Sequence, residues 1–195
     1  MCASTIAGAR WTEATMSLEP IAHAAEVLRE GGVITCPTEG VFGLSCLPGN
    51  AAAVQRLLDI KQRDAAKGLI LIVASKDQLR GWVAVATDDI PDPKPDQSIT
   101  WIVPASENVS PLIRGEHAGI AVRITSNPVA SALCAAVESP LVSTSANLAG
   151  EPTVTDQVAL SREFAGRVDY IVPGECGPLS GPSEIIDLES GRKLR

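Results

Sequence analysis

Aromatic side chains are scarce: Phe, Tyr and Trp make up 3 % of the 195 residues. Ala, Val, Leu and Ile must therefore fill the core, and a stacking platform for single-stranded nucleic acid is poorly supplied. Long apolar runs are missing as well. The longest strongly apolar stretch, "LILIVA" from Leu69 to Ala74, has the length of a strand rather than a membrane span. The five cysteines, Cys2, Cys36, Cys46, Cys134 and Cys176, are odd in number and contain no C-x-x-C pair. That argues against a disulfide framework or zinc motif and reads as a reduced, cytoplasmic setting. Neither G-x-x-x-x-G-K-[ST] nor G-x-G-x-x-G occurs, so a bound nucleotide would have to be held by another device. A serine hydrolase is disfavoured too. There is no G-x-S-x-G, and no motif ties His23 or His117 to a serine. Positive charge is in deficit, with a net charge of -7 and a pI near 4.8, which argues against binding nucleic acid through bulk charge.

Hydrophobic residues form 45 % of the chain, enough for one domain with a sizeable core. Residues 1–16, "MCASTIAGARWTEATM", lack a long apolar segment and read as a loose extension, with Met16 a possible start. The domain is then residues 17–195. Ile21, Ala25 and Leu28 repeat at helical spacing before Gly31-Gly32. "VITC" and "VFGL" read as strands broken by "PTEG", and a second helix starts near Ala51. "GLILIVA", "ITWIV", "GIAVRI", "PLVSTSAN", "YIV" and "SEIIDL" supply further strands. "DDIPDPKPDQ" must be a loop, because three prolines interrupt it. "PVASALCAAV" and "TDQVALSREFAG" are helices, the second with Thr155 as its expected cap. Strand and helix alternate, and some strands follow one another directly, so the expected fold is α/β with a mixed sheet.

Three stretches stand out. Lys61, Arg63 and Lys67 cluster between the second helix and the "GLILIVA" strand. On charge alone, a solvated helix end is the simpler reading, with Lys61 answering the helix dipole. The sharper reading is an anion site beside a sheet edge. In "STSAN", Ser143 to Asn147, hydroxyls and an amide follow a buried strand, where α/β proteins often bind ligands, although a turn would use the same residues. In "PTEG", Thr38 ends a strand and either turns the chain or points into a cleft. Arg123 closes the apolar "GIAVR" and needs solvent or an anion.

In this order, "CPTEGVFGLSC", "IKQRDAAKGLILI", "AVRIT", "PLVSTSANLAGEP", "GPSEIID" and the terminal "KLR" resemble the YrdC-like family. The likeness is greatest to its short, single-domain bacterial branch, the L-threonylcarbamoyladenylate synthases (TsaC type). It covers about residues 18–195, with Lys61-Gln62-Arg63 as the K-x-R and Ser145-Ala146-Asn147 as the S-x-N signature. The resemblance implies a twisted mixed sheet with flanking helices around a concave cavity. It implies that L-threonine, bicarbonate or CO2, and ATP give L-threonylcarbamoyl-AMP and pyrophosphate, with Mg²⁺ accompanying ATP. The product would pass to downstream proteins that modify an adenosine of tRNA, and direct tRNA binding would be weak.

By the same resemblance, Lys61, Arg63, Ser145 and Asn147 would be catalytic. ATP would be held by these four with Lys67, Thr100, Ser143 and Arg195, and threonine by Thr38, Arg123 and Ser183. No metal ligand is assigned. One departure is plain: where the family commonly carries Trp-Pro-Gly-Pro, this chain reads "PDQSIT", Pro95 to Thr100. The competing readings are a non-catalytic RNA-binding module of the same fold and a divergent carbamoyl-transfer paralogue.

Overall fold

A computed structural model describes residues 18–94 and 96–195. The N-terminal extension, with Cys2 and Met16, lies outside the described residues, as does Pro95. Among the described residues, no helix is long and apolar enough to cross a membrane.

Eight strands form one sheet: β1 (Ile34–Pro37), β2 (Phe42–Cys46), β3 (Ile70–Val73), β4 (Ile99–Pro104), β5 (Gly119–Ile124), β6 (Leu141–Ser145), β7 (Tyr170–Ile171) and β8 (Glu184–Asp187). Their spatial order is β7-β1-β2-β6-β3-β5-β4-β8. The sheet is mixed, as the direct succession of strands implied: β1·β7, β3·β5 and β4·β8 are parallel and the other neighbours antiparallel. Among the described residues, five α-helices accompany them: α1 (Leu18–Arg29), α2 (Ala51–Lys61), α3 (Pro111–Arg114), α4 (Pro128–Ala136) and α5 (Gln157–Phe164).

The two-residue period of strands divides the core between the two faces of the sheet. Ile34, Ile72 and Leu141 pack with Ile21, Ala24 and Leu28 of α1 and Ala130 and Leu133 of α4. Leu44, Leu71, Val73 and Val142 belong to the other cluster, with Val54, Leu57 and Leu58 of α2 and Leu160 and Phe164 of α5. Apolar residues on both sides of β3 follow from helices on both sides.

Local chemistry sets the helix ends. The Asn50 side chain accepts from Ala53 N and starts α2. Asn127 accepts from Val129 N and Ala130 N, with Pro128 at the first helical position of α4. At α5 the cap is Asp156 rather than Thr155, its carboxylate accepting from Ala159 N at 2.8 Å. The two are adjacent in the sequence and both are good caps, so the sequence did not separate them.

Candidate active site

α2 ends in an unusual way. Gln62 takes a left-handed conformation, with φ 51° and ψ 42°, which side chains other than glycine rarely adopt. The chain reverses there, and Lys61 and Arg63 leave in different directions. Lys61 points inward and is 5 % exposed. Its ammonium donates to Ser145 O at 2.5 Å, to Ser145 Oγ at 3.0 Å and to Asn147 Oδ1. These bonds engage its three hydrogens. Burial, with the charge of Arg63 adding to it, pushes the Lys61 amine down to about 8. The solvated-helix-end reading of Lys61 is thereby overturned: the side chain braces the end of β6.

Arg63 faces the other way. Its guanidinium donates to Gly68 O from Nη2 at 2.9 Å and from Nε at 3.2 Å, and it lines a cavity of about 340 Å³. That volume lies within the range of about 300–1,000 Å³ usual for small-molecule sites. Lys67 lines it too, from a short 3-10 turn capped by Asp64. Gly68 follows at φ 65°, and a side chain there would meet Arg114 O at 2.8 Å. The cation loop is thus seated directly on the end of α3.

The cavity also takes Thr38 and Gly40 from the β1–β2 turn and Ser143, Thr144 and Ser145 from the end of β6. Ser98 comes from the segment just before β4, Arg123 from β5, and Ser183 and Arg195 from the C-terminal segment. Arg195 is aimed by hydrogen bonds to Ser183 O at 3.0 and 3.2 Å. Arg114 and His117 also line it; the sequence reading missed both, because they lie in the motif-free stretch "IRGEH".

Three expected residues stand one layer behind the wall. Lys61 is one. Asn147 is buried and ties its amide to Leu148 O and Glu151 O, while its oxygen accepts from Ser145 Oγ at 2.7 Å. Thr100 is buried, its hydroxyl bonded to Ser183 Oγ at 2.7 Å. Thr38 lines the cavity, but its hydroxyl donates to Val41 O at 2.7 Å and holds the turn.

The electrostatics are lopsided. Arg63, Lys67, Arg114, Arg123 and Arg195 line the cavity, and no Asp or Glu does among the described residues. Burial lowers the pKa of Arg63; burial and then the charges of Arg63 and Arg123 lower that of Arg195. Two cavity guanidiniums, Arg114 and Arg123, each have a buried Nε without a hydrogen-bond partner. Cations on the walls with no carboxylate beside them suit the cavity to an anion.

A resident divalent metal does not fit this lining, because magnesium sites draw on carboxylates and the cavity offers none. Among the described residues there is also no group of three or more His, Cys, Asp or Glu placed to hold an ion. Among the described residues, the cysteines are poorly suited to nucleophilic chemistry. Burial raises the thiol pKa of Cys36, Cys46, Cys134 and Cys176, which suppresses their thiolates.

A family model for Sua5, YciO and YrdC, described as "Telomere recombination", matches residues 26–195. A curated relative from Xanthomonas euvesicatoria, named "Threonylcarbamoyl-AMP synthase", is 46 % identical over 181 residues, covering 89 % of this chain and 95 % of that one. The solved structure of P. abyssi Sua5 complexed with L-threonine superposes with a TM-score of 0.79 at 30 % identity. It is matched over 89 % of this chain but 52 % of its own, so this chain spans about half of that protein. E. coli YciO superposes with a TM-score of 0.78 at 27 % identity, covering 92 % of this chain and 89 % of its own. The family model covers residues 26–195, and the chain belongs to the Sua5/YciO/YrdC family.

Proposed function

We infer that this chain is a threonylcarbamoyl-AMP synthase, joining L-threonine, bicarbonate or CO2, and ATP into L-threonylcarbamoyl-AMP with release of pyrophosphate and, when bicarbonate is the carbon source, water. The observation that carries this is the cavity of five cations and no carboxylate in a chain of net charge -7. ATP and a threonine carbamate are both anions, and bringing them into contact requires fixed positive charge. The carbamate oxygen forms the new bond to the α-phosphorus as the bond to pyrophosphate breaks. The protein supplies position and electrostatics, so no protein nucleophile is needed.

The proposed roles combine the family resemblance with each residue's place in or behind the cavity wall. Arg63, Lys67, Arg114 and Arg195 hold phosphates. Ser143 and Ser145 order the nucleotide, while Lys61, Asn147 and Thr100 act as positioning residues behind them. Arg123 receives the threonine carboxylate, with Thr38 and Ser183 beside it. Any magnesium arrives bound to the nucleotide. The buried free thiols fit a reducing compartment, and the cytoplasm is the proposed setting. Transfer to tRNA belongs to separate proteins, and tRNA contact by this chain is weak. The non-catalytic RNA-binding reading loses ground here, because no Phe, Tyr or Trp lines the cavity among the described residues.

The test is mass spectrometry of protein mixed with ATP, L-threonine and bicarbonate. A threonylcarbamoyl adenylate is expected, with pyrophosphate release that depends on both threonine and bicarbonate. Pyrophosphate released equally without threonine, or AMP with no carbamoyl adduct, refutes the reading.

A further inference from the structure

Of the five cations lining the cavity, Arg123 differs from the rest. Among the described residues, it is the one with a carboxylate within 4.0 Å: its Nη2 lies 3.4 Å from Glu39 Oε2. Arg63, Lys67, Arg114 and Arg195 form no such pair. Glu39 is buried at 2 % exposure and is firmly placed. Its Oε1 accepts from Thr125 Oγ1 at 2.6 Å and from Ser126 N at 3.0 Å. The turn that carries it is fastened by Asn127, whose amide donates to Thr38 O at 3.0 Å. Burial alone would raise the Glu39 carboxyl, but the charge of Arg123 and these hydrogen bonds hold it below the usual range. Glu39 is therefore an anion at neutral pH.

A compensated arginine and a bare one select different ligands. A bare guanidinium in a cavity attracts the most highly charged anion present, here a polyphosphate. Once paired, it offers little net charge but keeps directed donors, which suit a planar carboxylate. Arg123 retains such a donor in Nη1, whose contact to Ser98 Oγ is a long 3.4 Å.

We propose that Glu39 is a specificity-determining residue that divides the cavity, leaving four uncompensated cations for phosphates and reserving Arg123 for the amino-acid carboxylate. Glu39 thus repels the wrong ligand as well as placing Arg123 for the right one. This inference rests on the reading of the site given above.

Binding of L-threonine to the full chain by titration calorimetry, with and without inorganic tripolyphosphate, tests it. In the parent, tripolyphosphate is expected to leave the threonine dissociation constant within about twofold. In Glu39→Gln, which has nearly the same shape, tripolyphosphate is expected to weaken threonine binding about tenfold or more, at the low end of what a misplaced charge costs. Glu39→Asp keeps the charge and should behave like the parent; an Asp variant as sensitive as the Gln variant overturns the charge argument.

The double variant Glu39→Gln, Arg123→Gln buries no unpaired charge and remains testable where the single variant fails to fold. Its tripolyphosphate affinity should equal that of the parent, and a drop of about tenfold would show that Arg123 was a phosphate ligand after all. A parent that binds no threonine refutes the underlying reading of the site. A parent that binds threonine, with a Gln variant equally resistant to tripolyphosphate, refutes this inference alone.

Discussion

Lys61→Met keeps the side-chain stem and removes the ammonium, and the structure sets two opposing effects on stability. The pKa of Lys61 is pushed to about 8 from an ordinary 10.5. At about 1.36 kcal/mol per pH unit, the buried charge costs about 3 kcal/mol at neutral pH, and the substitution recovers that amount. Against it stand the lost bonds to Ser145 O, Ser145 Oγ and Asn147 Oδ1. The last two keep their mutual bond at 2.7 Å, which leaves the Ser145 carbonyl as the main loser, at about 1–3 kcal/mol. The two effects nearly cancel. The unfolding midpoint should move by less than about 8 °C, at roughly 2–4 °C per kcal/mol for a domain of this size. Activity should not cancel. Ser145 and Asn147 lose the cation that fixes them, and the phosphates lose a nearby charge, so turnover should fall about 10²–10³-fold. Threonine-dependent pyrophosphate release and thermal unfolding, measured on the same preparation, check both halves. Turnover within about threefold of the parent, or a chain that no longer folds, would show that the Lys61 ammonium is an ordinary structural contact.

The same group gives a pH dependence. Lys61 must be charged to act, so kcat/KM for ATP should fall on an alkaline limb near pH 8; Lys61→Arg should move any surviving limb upward, and a limb unchanged by that substitution assigns it elsewhere. In stability the sign is opposite to that of a favourable pair. The cost of the buried charge is fully present below pH 8 and vanishes by about pH 10.5, so the stability of Lys61→Met relative to the parent should decline across that window in paired denaturant titrations. Asn147→Ala should impair turnover far more than Asn108→Ala, because Asn147 is buried in the turn behind Ser145 whereas Asn108 is exposed and has no such network; equal small losses would reduce "STSAN" to a simple turn. Binding of tRNA should be weak, fall steeply with salt and compete with ATP, since the clustered cations are those of the cavity; tight, salt-resistant binding indifferent to ATP would reveal a separate RNA surface.

What was legible in the sequence was mostly local. The start of α2 at Ala51 follows from Asn50 and the apolar spacing of Val54, Leu57 and Leu58, all within one helix. "STSAN" sits at a strand end because the apolar residues of β6 stop there. What was not legible depends on distant partners or on backbone geometry. Nothing local says that Glu39 answers Arg123, 84 residues away. The inward course of Lys61 rests on the left-handed Gln62, a residue type with no special tendency toward that conformation. Arg114 gains its role only because α3 is seated on the cation loop through Gly68.

The strand order also governs how the site comes into being. Both outer strands, β7 and β8, lie in the last 26 residues, while β1 and β4, which they cover, come much earlier. Until that final stretch docks, β1 and β4 are open edges able to pair with another chain. Ser183 and Arg195 belong to the same late segment, so a chain folded only through β6 would hold its cations around an incomplete vessel. These sequence-distant pairings are slow to form, because loop closure precedes any gain from contact. Substrate binding selects the finished form, and its stabilisation falls on the late edge most of all. Amide exchange in β8 and the terminal "KLR" should therefore slow more on ligand binding than exchange in α1, which contributes no residue to the cavity lining.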